Sequence, residues 1–120
     1  MGKILIADDS ATAVAQMSKT LAPLGHVILT ARDGEEAVSR IREEHPDLVI
    51  LDLIMPKVNG FQLCRVIRSD PALKGLPIIV VTSMDRESDR YWGLKQGASA
   101  YICKPFSPEE LADTVRKNIR

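Results

Sequence analysis

At 120 residues the chain is long enough for one domain and one core, but not two. Its 16 basic residues cancel its 16 acidic ones, and no basic block or aromatic–basic interleaving occurs, which argues against nucleic acid as a direct partner. No apolar run approaches the roughly 20 residues of a membrane span, and the chain enters a strand at once with no signal peptide. Cys64 and Cys103 form neither a CxxC pair nor a disulfide framework, so the expectation is a cytoplasmic domain with two reduced cysteines.

Lys3 leads into the apolar run Ile4-Leu5-Ile6-Ala7, so residues 3–7 have the pattern of a strand buried on both faces, and they end in Asp8, Asp9 and Ser10. Residues 11–24 place Val14, Met17, Leu21 and Leu24 at helical spacing, with Gly25 to end the helix. Residues 26–31 predict a strand and Asp33-Gly34 a turn. Residues 35–44 predict a helix with Ala37, Val38 and Ile41 inward; its acidic start and its later Arg40 and Arg42 suit the helix dipole.

The organising stretch is Leu48-Val49-Ile50-Leu51-Asp52-Leu53-Ile54-Met55-Pro56. An unpaired charge inside a buried strand is costly. Asp52 is therefore expected as the last residue of its strand, projecting into the crevice at the carboxyl edge of a parallel sheet, where open α/β sheets bind ligands. A loop over 55–60 leads to a helix over 61–69 carrying Leu63, Val66 and Ile67, and Pro71 and Pro77 bracket an irregular connection. Residues 77–82 read as a strand ending in Thr82, and residues 85–96 as a helix closed by Gly97. Residues 100–103 read as a short strand running into Lys104-Pro105. Ser107-Pro108-Glu109-Glu110 is a capping-box pattern opening a last helix through Leu111, Val115 and Ile119. Strands alternating with helices predict one α/β domain over 1–120 with a parallel sheet, and no linker, repeat or output domain.

Parallel strands end on the same side, so Asp8, Asp9, Asp52, Thr82 and Lys104 are expected to share one edge despite their separation in sequence. Three carboxylates packed together repel one another, and a hard divalent cation relieves this. Mg²⁺ takes oxygen ligands and typically accepts one or two carboxylates, while no Cys/His cluster offers a zinc site. Lys104 supplies a mobile positive charge and Thr82 a hydroxyl that can turn toward an acceptor. Carboxylate nucleophile, metal, lysine and hydroxyl together are the equipment of phosphoryl transfer onto aspartate.

Asp8-Asp9-Ser10, Leu51 to Pro56 with Gly60, Val81-Thr82-Ser83 and Lys104-Pro105-Phe106 resemble the signature of response regulator receiver domains of two-component systems. The resemblance covers the whole chain. Among relatives the chain looks most like stand-alone receivers of chemotaxis and twitching-motility systems, and the segment Asp89 to Ala98 resembles the latter. It implies a flavodoxin-like, doubly wound sheet in strand order 2-1-3-4-5, a property of the family rather than of the spacing.

By this resemblance Asp52 is the phosphoacceptor from a sensor histidine kinase or phosphotransfer domain. Asp9, Asp52 and the Ile54 backbone carbonyl would hold Mg²⁺ (or Mn²⁺), with Asp8 acting through a metal-bound water. Lys104 would pair with the acyl phosphate, Thr82 and Tyr101 would be switch residues, and Lys104-Pro105 would be a cis peptide. A downstream target would bind the face of helix 4, strand 5 and helix 5, where Trp92 is either a contact residue or packed against a neighbouring helix. The protein is expected to be a monomer, or a dimer on phosphorylation, and not an enzyme beyond its own phosphorylation and slow dephosphorylation. Apolar Ile54 and Met84 predict slow loss of phosphate. Alternatives are a phosphate sink for its kinase and a non-phosphorylated receiver-like scaffold. A haloacid-dehalogenase-type phosphatase would need an acid where Ile54 stands, and an electron carrier would need aromatic walls that a 4% aromatic content does not supply.

Overall fold

The structure, a computed structural model, describes residues 2–119. Five strands, β1 (Lys3–Ala7), β2 (Val27–Ala31), β3 (Leu48–Leu51), β4 (Ile78–Thr82) and β5 (Ala100–Cys103), lie parallel in the order β2-β1-β3-β4-β5. Helices α1 (Ala11–Leu21), α2 (Gly34–Glu44), α3 (Gly60–Ser69), α4 (Glu87–Lys95) and α5 (Pro108–Asn118) follow the strands in turn. Among the described residues no helix is long and apolar enough to cross a membrane.

The apolar runs are continuous because both faces of the sheet are covered. On one face Ile4, Ile6, Leu48, Ile50, Ile79 and Val81 pack with Met17 and Leu21 of α1 and Leu111 and Val115 of α5. On the other, Leu5, Val49, Leu51, Ile78 and Val80 pack with Ile41 of α2 and Leu63 and Ile67 of α3. Each such side chain contributes about 1.5–3 kcal/mol on burial, so the central strands anchor the carboxyl edge firmly. α4 is different, because Gly93 is its one buried residue.

Several expected boundaries shift for identifiable reasons. The first helix stops at Leu21 and tightens into a 3₁₀ turn over Ala22–Leu24, where Pro23 has no N–H to continue the ladder. Leu24, expected inward, is therefore 54% exposed. α3 begins one residue early, at Gly60, because Asn59 caps it and exchanges hydrogen bonds with Gln62 in a capping box. α4 begins at Glu87 rather than residue 85, since the Arg86 N–H donates to Asp89 Oδ2 at 3.2 Å. α5 ends at Asn118, leaving Ile119 extended yet packed on the core. Both cysteines are free, Cys64 buried and Cys103 half-buried.

Candidate functional site

The carboxyl ends of β1, β3, β4 and β5 deliver the site. β3 stops at Leu51, but the Asp52 N–H still donates to the Ala7 carbonyl at 3.0 Å, so Asp52 prolongs the ladder by one residue. The residue is only 6% exposed, and its carboxylate accepts from three donors. The Thr82 hydroxyl donates to Asp52 Oδ1 at 2.7 Å, and the Ile54 N–H donates to the same oxygen at 3.0 Å. Lys104 Nζ donates to Asp52 Oδ2 at 2.9 Å and to Asp8 Oδ2 at 2.8 Å. Asp8 Oδ1 accepts from the Ser10 N–H at 2.9 Å, and Ser10 itself caps α1. No buried side-chain polar atom lacks a partner among the described residues.

Lys104 ends β5 as Asp52 ends β3, and its N–H donates to the Thr82 carbonyl at 2.7 Å. Burial works against its ammonium, but hydrogen bonds to Asp52 and Asp8, with their charge, outweigh it and hold its pKa above the usual lysine value. The following Lys104–Pro105 peptide is cis.

The three carboxylates do not close into the packed cluster expected from the sequence. Asp9 is exposed, and among the described residues no group of three Asp, Glu, His or Cys side chains is placed to hold a metal. The ammonium of Lys104 stands between Asp8 and Asp52 and relieves their repulsion directly. The donor set nevertheless suits Mg²⁺. It consists of hard oxygens, three carboxylates against one ammonium leave the edge anionic, and Mg²⁺ needs only one or two carboxylates beside its waters. Asp9, Asp52 and the Ile54 carbonyl are the groups that would hold it.

Tyr101 points into the protein, 7% exposed, and its hydroxyl donates to the Met84 carbonyl at 2.7 Å. Burial, reinforced by the charge of Asp89, pushes the phenol up to about 12. Trp92 is 52% exposed and meets Tyr91 edge to face at 5.5 Å. Sequence reasoning missed Arg90, whose guanidinium lies over the Tyr101 ring, because a charged residue in a polar helix carries no periodic signal. It also left the Ile54 N–H unassigned. An aspartate at a strand end followed by a turn is the signal for such a local bond.

The parallel order of the sheet, with a polar pocket at its carboxyl edge, places the chain among the flavodoxin-like doubly wound domains. The response regulator receiver domain model matches residues 4–116, and the chain belongs to that family. Protein PilH of Pseudomonas aeruginosa is 41% identical over 115 residues, 96% of this chain and 95% of that protein. The probable transcriptional regulator ycf27 of Porphyridium aerugineum is 43% identical over 118 residues, 98% of this chain but 48% of that protein. The chain thus spans about half the length of the curated transcriptional regulators it matches. Among solved structures, a putative response regulator from Chloroflexus aurantiacus has a TM-score of 0.93 at 34% identity, covering 97% of this chain and 95% of that one. The chemotaxis response regulator CheY4 of Vibrio cholerae has a TM-score of 0.91 at 32% identity, covering 98% of both chains. The BeF3-activated receiver domain of Klebsiella pneumoniae RstA has a TM-score of 0.91 at 31% identity, covering 98% of both.

Proposed function

We propose that Asp52 accepts a phosphoryl group from a phosphohistidine of a sensor kinase or phosphotransfer domain, and that the chain then signals to a separate target protein. The observation that carries this reading is Asp52 itself. It is a charged carboxylate at a strand end, bonded at once to a lysine ammonium and a threonine hydroxyl. An Asp52 oxygen attacks phosphorus, the new O–P bond forms as the N–P bond breaks, and the leaving imidazole nitrogen recovers a proton from solvent. Asp9, Asp52 and the Ile54 carbonyl, with Asp8 through a metal-bound water, would hold Mg²⁺, which would supply charge neutralisation for the moving phosphoryl group.

Each residue of the pocket has a task in that transfer. Lys104 follows the developing negative charge, moving from Asp52 Oδ2 to a phosphoryl oxygen while keeping Asp8 as its anchor. Thr82 exchanges its carboxylate acceptor for a phosphoryl oxygen, which pulls the end of β4. The added charge of nearly two units is the signal. Action in trans draws support from the likeness to PilH along 95% of that protein.

Incubation with acetyl phosphate and Mg²⁺ tests the chemistry by intact mass. Wild type gains one phosphoryl increment, whereas Asp52→Asn and EDTA-treated wild type gain none. Equal labelling of wild type and Asp52→Asn would falsify the assignment.

A further inference from the structure

Between α3 and α4 runs an open groove of ≈ 630 Å³, with Gln62, Arg65, Val66 and Arg68 on one wall and Lys95 and Gln96 on the other. None of its described lining residues is a carboxylate. The groove is formed by the last turns of both helices. Helices that return between parallel strands end at the amino edge of the sheet, so this surface lies at the opposite edge from Asp52.

Arg68 forms the floor. Its Nε donates to the Gly97 carbonyl at 3.0 Å, and Nη1 donates to the Lys74 and Leu76 carbonyls at 3.0 and 2.6 Å, so the guanidinium is fixed in place. Arg65 and Lys95 are exposed, and neither side chain has an ion-pair or hydrogen-bond partner among the described residues. The nearest acids along the two helices are committed elsewhere. Asp70 faces Arg42 of α2 at 3.8 Å, and Asp89 accepts from the Arg86 N–H. In a chain whose 16 basic and 16 acidic residues cancel, the groove is a local surplus of positive charge.

The helix dipole accounts for a cation in each last turn, but not for Trp92. That side chain is 52% exposed and stands three and four residues before Lys95 and Gln96, hence on the groove side of α4. An exposed tryptophan beside arginine is the composition of an interface centre rather than of an ordinary wet helix.

We propose that the α3–α4 groove docks an acidic segment of a separate protein, its carboxylates on Arg65 and Lys95 and an apolar side chain against Trp92. Nucleic acid fits less well, because so few cations neutralise too few phosphates in a chain of zero net charge. A flat anionic membrane calls for a cluster of four to eight cations. A second copy offers its acidic pairs Glu35-Glu36 and Glu109-Glu110 only inside first helical turns.

The test selects short random peptides from a display library on the unphosphorylated full chain and synthesises the recovered sequences. Recovered peptides are rich in Asp and Glu with apolar residues between them, and they shift the emission of Trp92, the only tryptophan. By anisotropy of the labelled peptide, Arg65→Glu with Lys95→Glu weakens binding at least tenfold, and Arg65→Gln with Lys95→Gln weakens it less. The same reversal elsewhere, Lys19→Glu with Lys117→Glu, leaves it unchanged, and Trp92→Phe weakens it several-fold. Circular dichroism checks that each variant folds; should the reversal fail to fold, the glutamine pair decides. Recovery of no peptide, or of neutral or basic ones, overturns the proposal. So does equal affinity for the reversed variant, or a Trp92 shift produced as readily by single-stranded DNA, by phosphatidylserine vesicles or by self-association in sedimentation. Every arm uses unphosphorylated chain, so the outcome is separate from that of the acetyl phosphate experiment on Asp52.

Discussion

Asp52 sits in a nearly closed place where each of its oxygens meets a donor that is itself held. Ile54 N–H is fixed by the turn, Thr82 by β4, and Lys104 by a second carboxylate, Asp8. Low local dielectric makes such bonds strong and their loss expensive. By the family resemblance, water attacking a phosphoryl group on Asp52 would pass Ile54, 54% exposed, and the half-buried Met84. Neither side chain can hydrogen-bond a water and aim it at a bound phosphoryl group. Ile54→Asn supplies an amide at that gate, and its phosphorylated form should lose phosphate several-fold faster than wild type by radiolabel decay. An unchanged decay rate would mean that the apolar gate is irrelevant to phosphate lifetime. Cys64 offers a different residue-scale check. It is fully buried and burial lifts its thiol to about 11, against which nearby Arg68 pulls only partly. A maleimide at neutral pH should label the half-buried Cys103 well before Cys64.

At the scale of elements, the loop from β3 to α3 does the most to shape the pocket. Asn59 and Gln62 cap α3 reciprocally, and Gly60 then brings the helix start against the strand end. Any Cβ at position 60 would collide with the Asp52 carbonyl and stand 2.6 Å from the Leu53 Cα. Both are backbone atoms and cannot swing aside. Gly60→Ala should therefore cost about 1–3 kcal/mol in urea unfolding, in the range of overpacking, and should slow phosphoryl uptake because the strain falls on Asp52 itself. Asn59→Ala, which removes the cap without touching Asp52, should cost about 1 kcal/mol and leave uptake unchanged. If both variants behaved alike in uptake, the close approach at Gly60 would not be what positions the acid. α4 stands apart, with Tyr91, Trp92 and Leu94 exposed and only Gly93 buried. A helix so lightly attached is suited to small displacements, since few buried contacts resist them.

For the molecule as a whole, three groups share one sign of linkage. Cys64, Tyr101 and Lys104 all have folded pKa values above their ordinary 9.0, 10.0 and 10.5. Their contributions are complete below those ordinary values and are lost as pH climbs through the folded ones, because above pH 9 the unfolded chain binds fewer protons than the folded one. Unfolding free energy from urea titrations should fall steadily between pH 9 and about 12, the value to which Tyr101 is raised. Tyr101→Phe should flatten the upper part of that decline, and absorbance at 295 nm should lose its latest-titrating step. A decline of equal steepness in Tyr101→Phe would show that the phenol is not protected.

Much of this architecture lies in the sequence alone, because it is written in short-range pattern. Apolar β-branched runs, Gly25 and Gly97 at helix ends, and the Ser107 cap specify five strand–helix units without reference to one another. Parallel pairing then forces Asp8, Asp52, Thr82 and Lys104 to one edge. What pattern could not supply is the contact across the fold. Lys104 meets Asp8 across 96 positions of chain, and no local rule says that this ammonium, rather than the third carboxylate, stands between Asp8 and Asp52. The inward pose of Tyr101 was equally out of reach, since its contacts with Met84, Arg90 and Gly93 all cross between elements. Local propensity decides elements because each is stabilised by its own neighbours. Tertiary structure decides the site because its bonds join groups that only the completed sheet brings together.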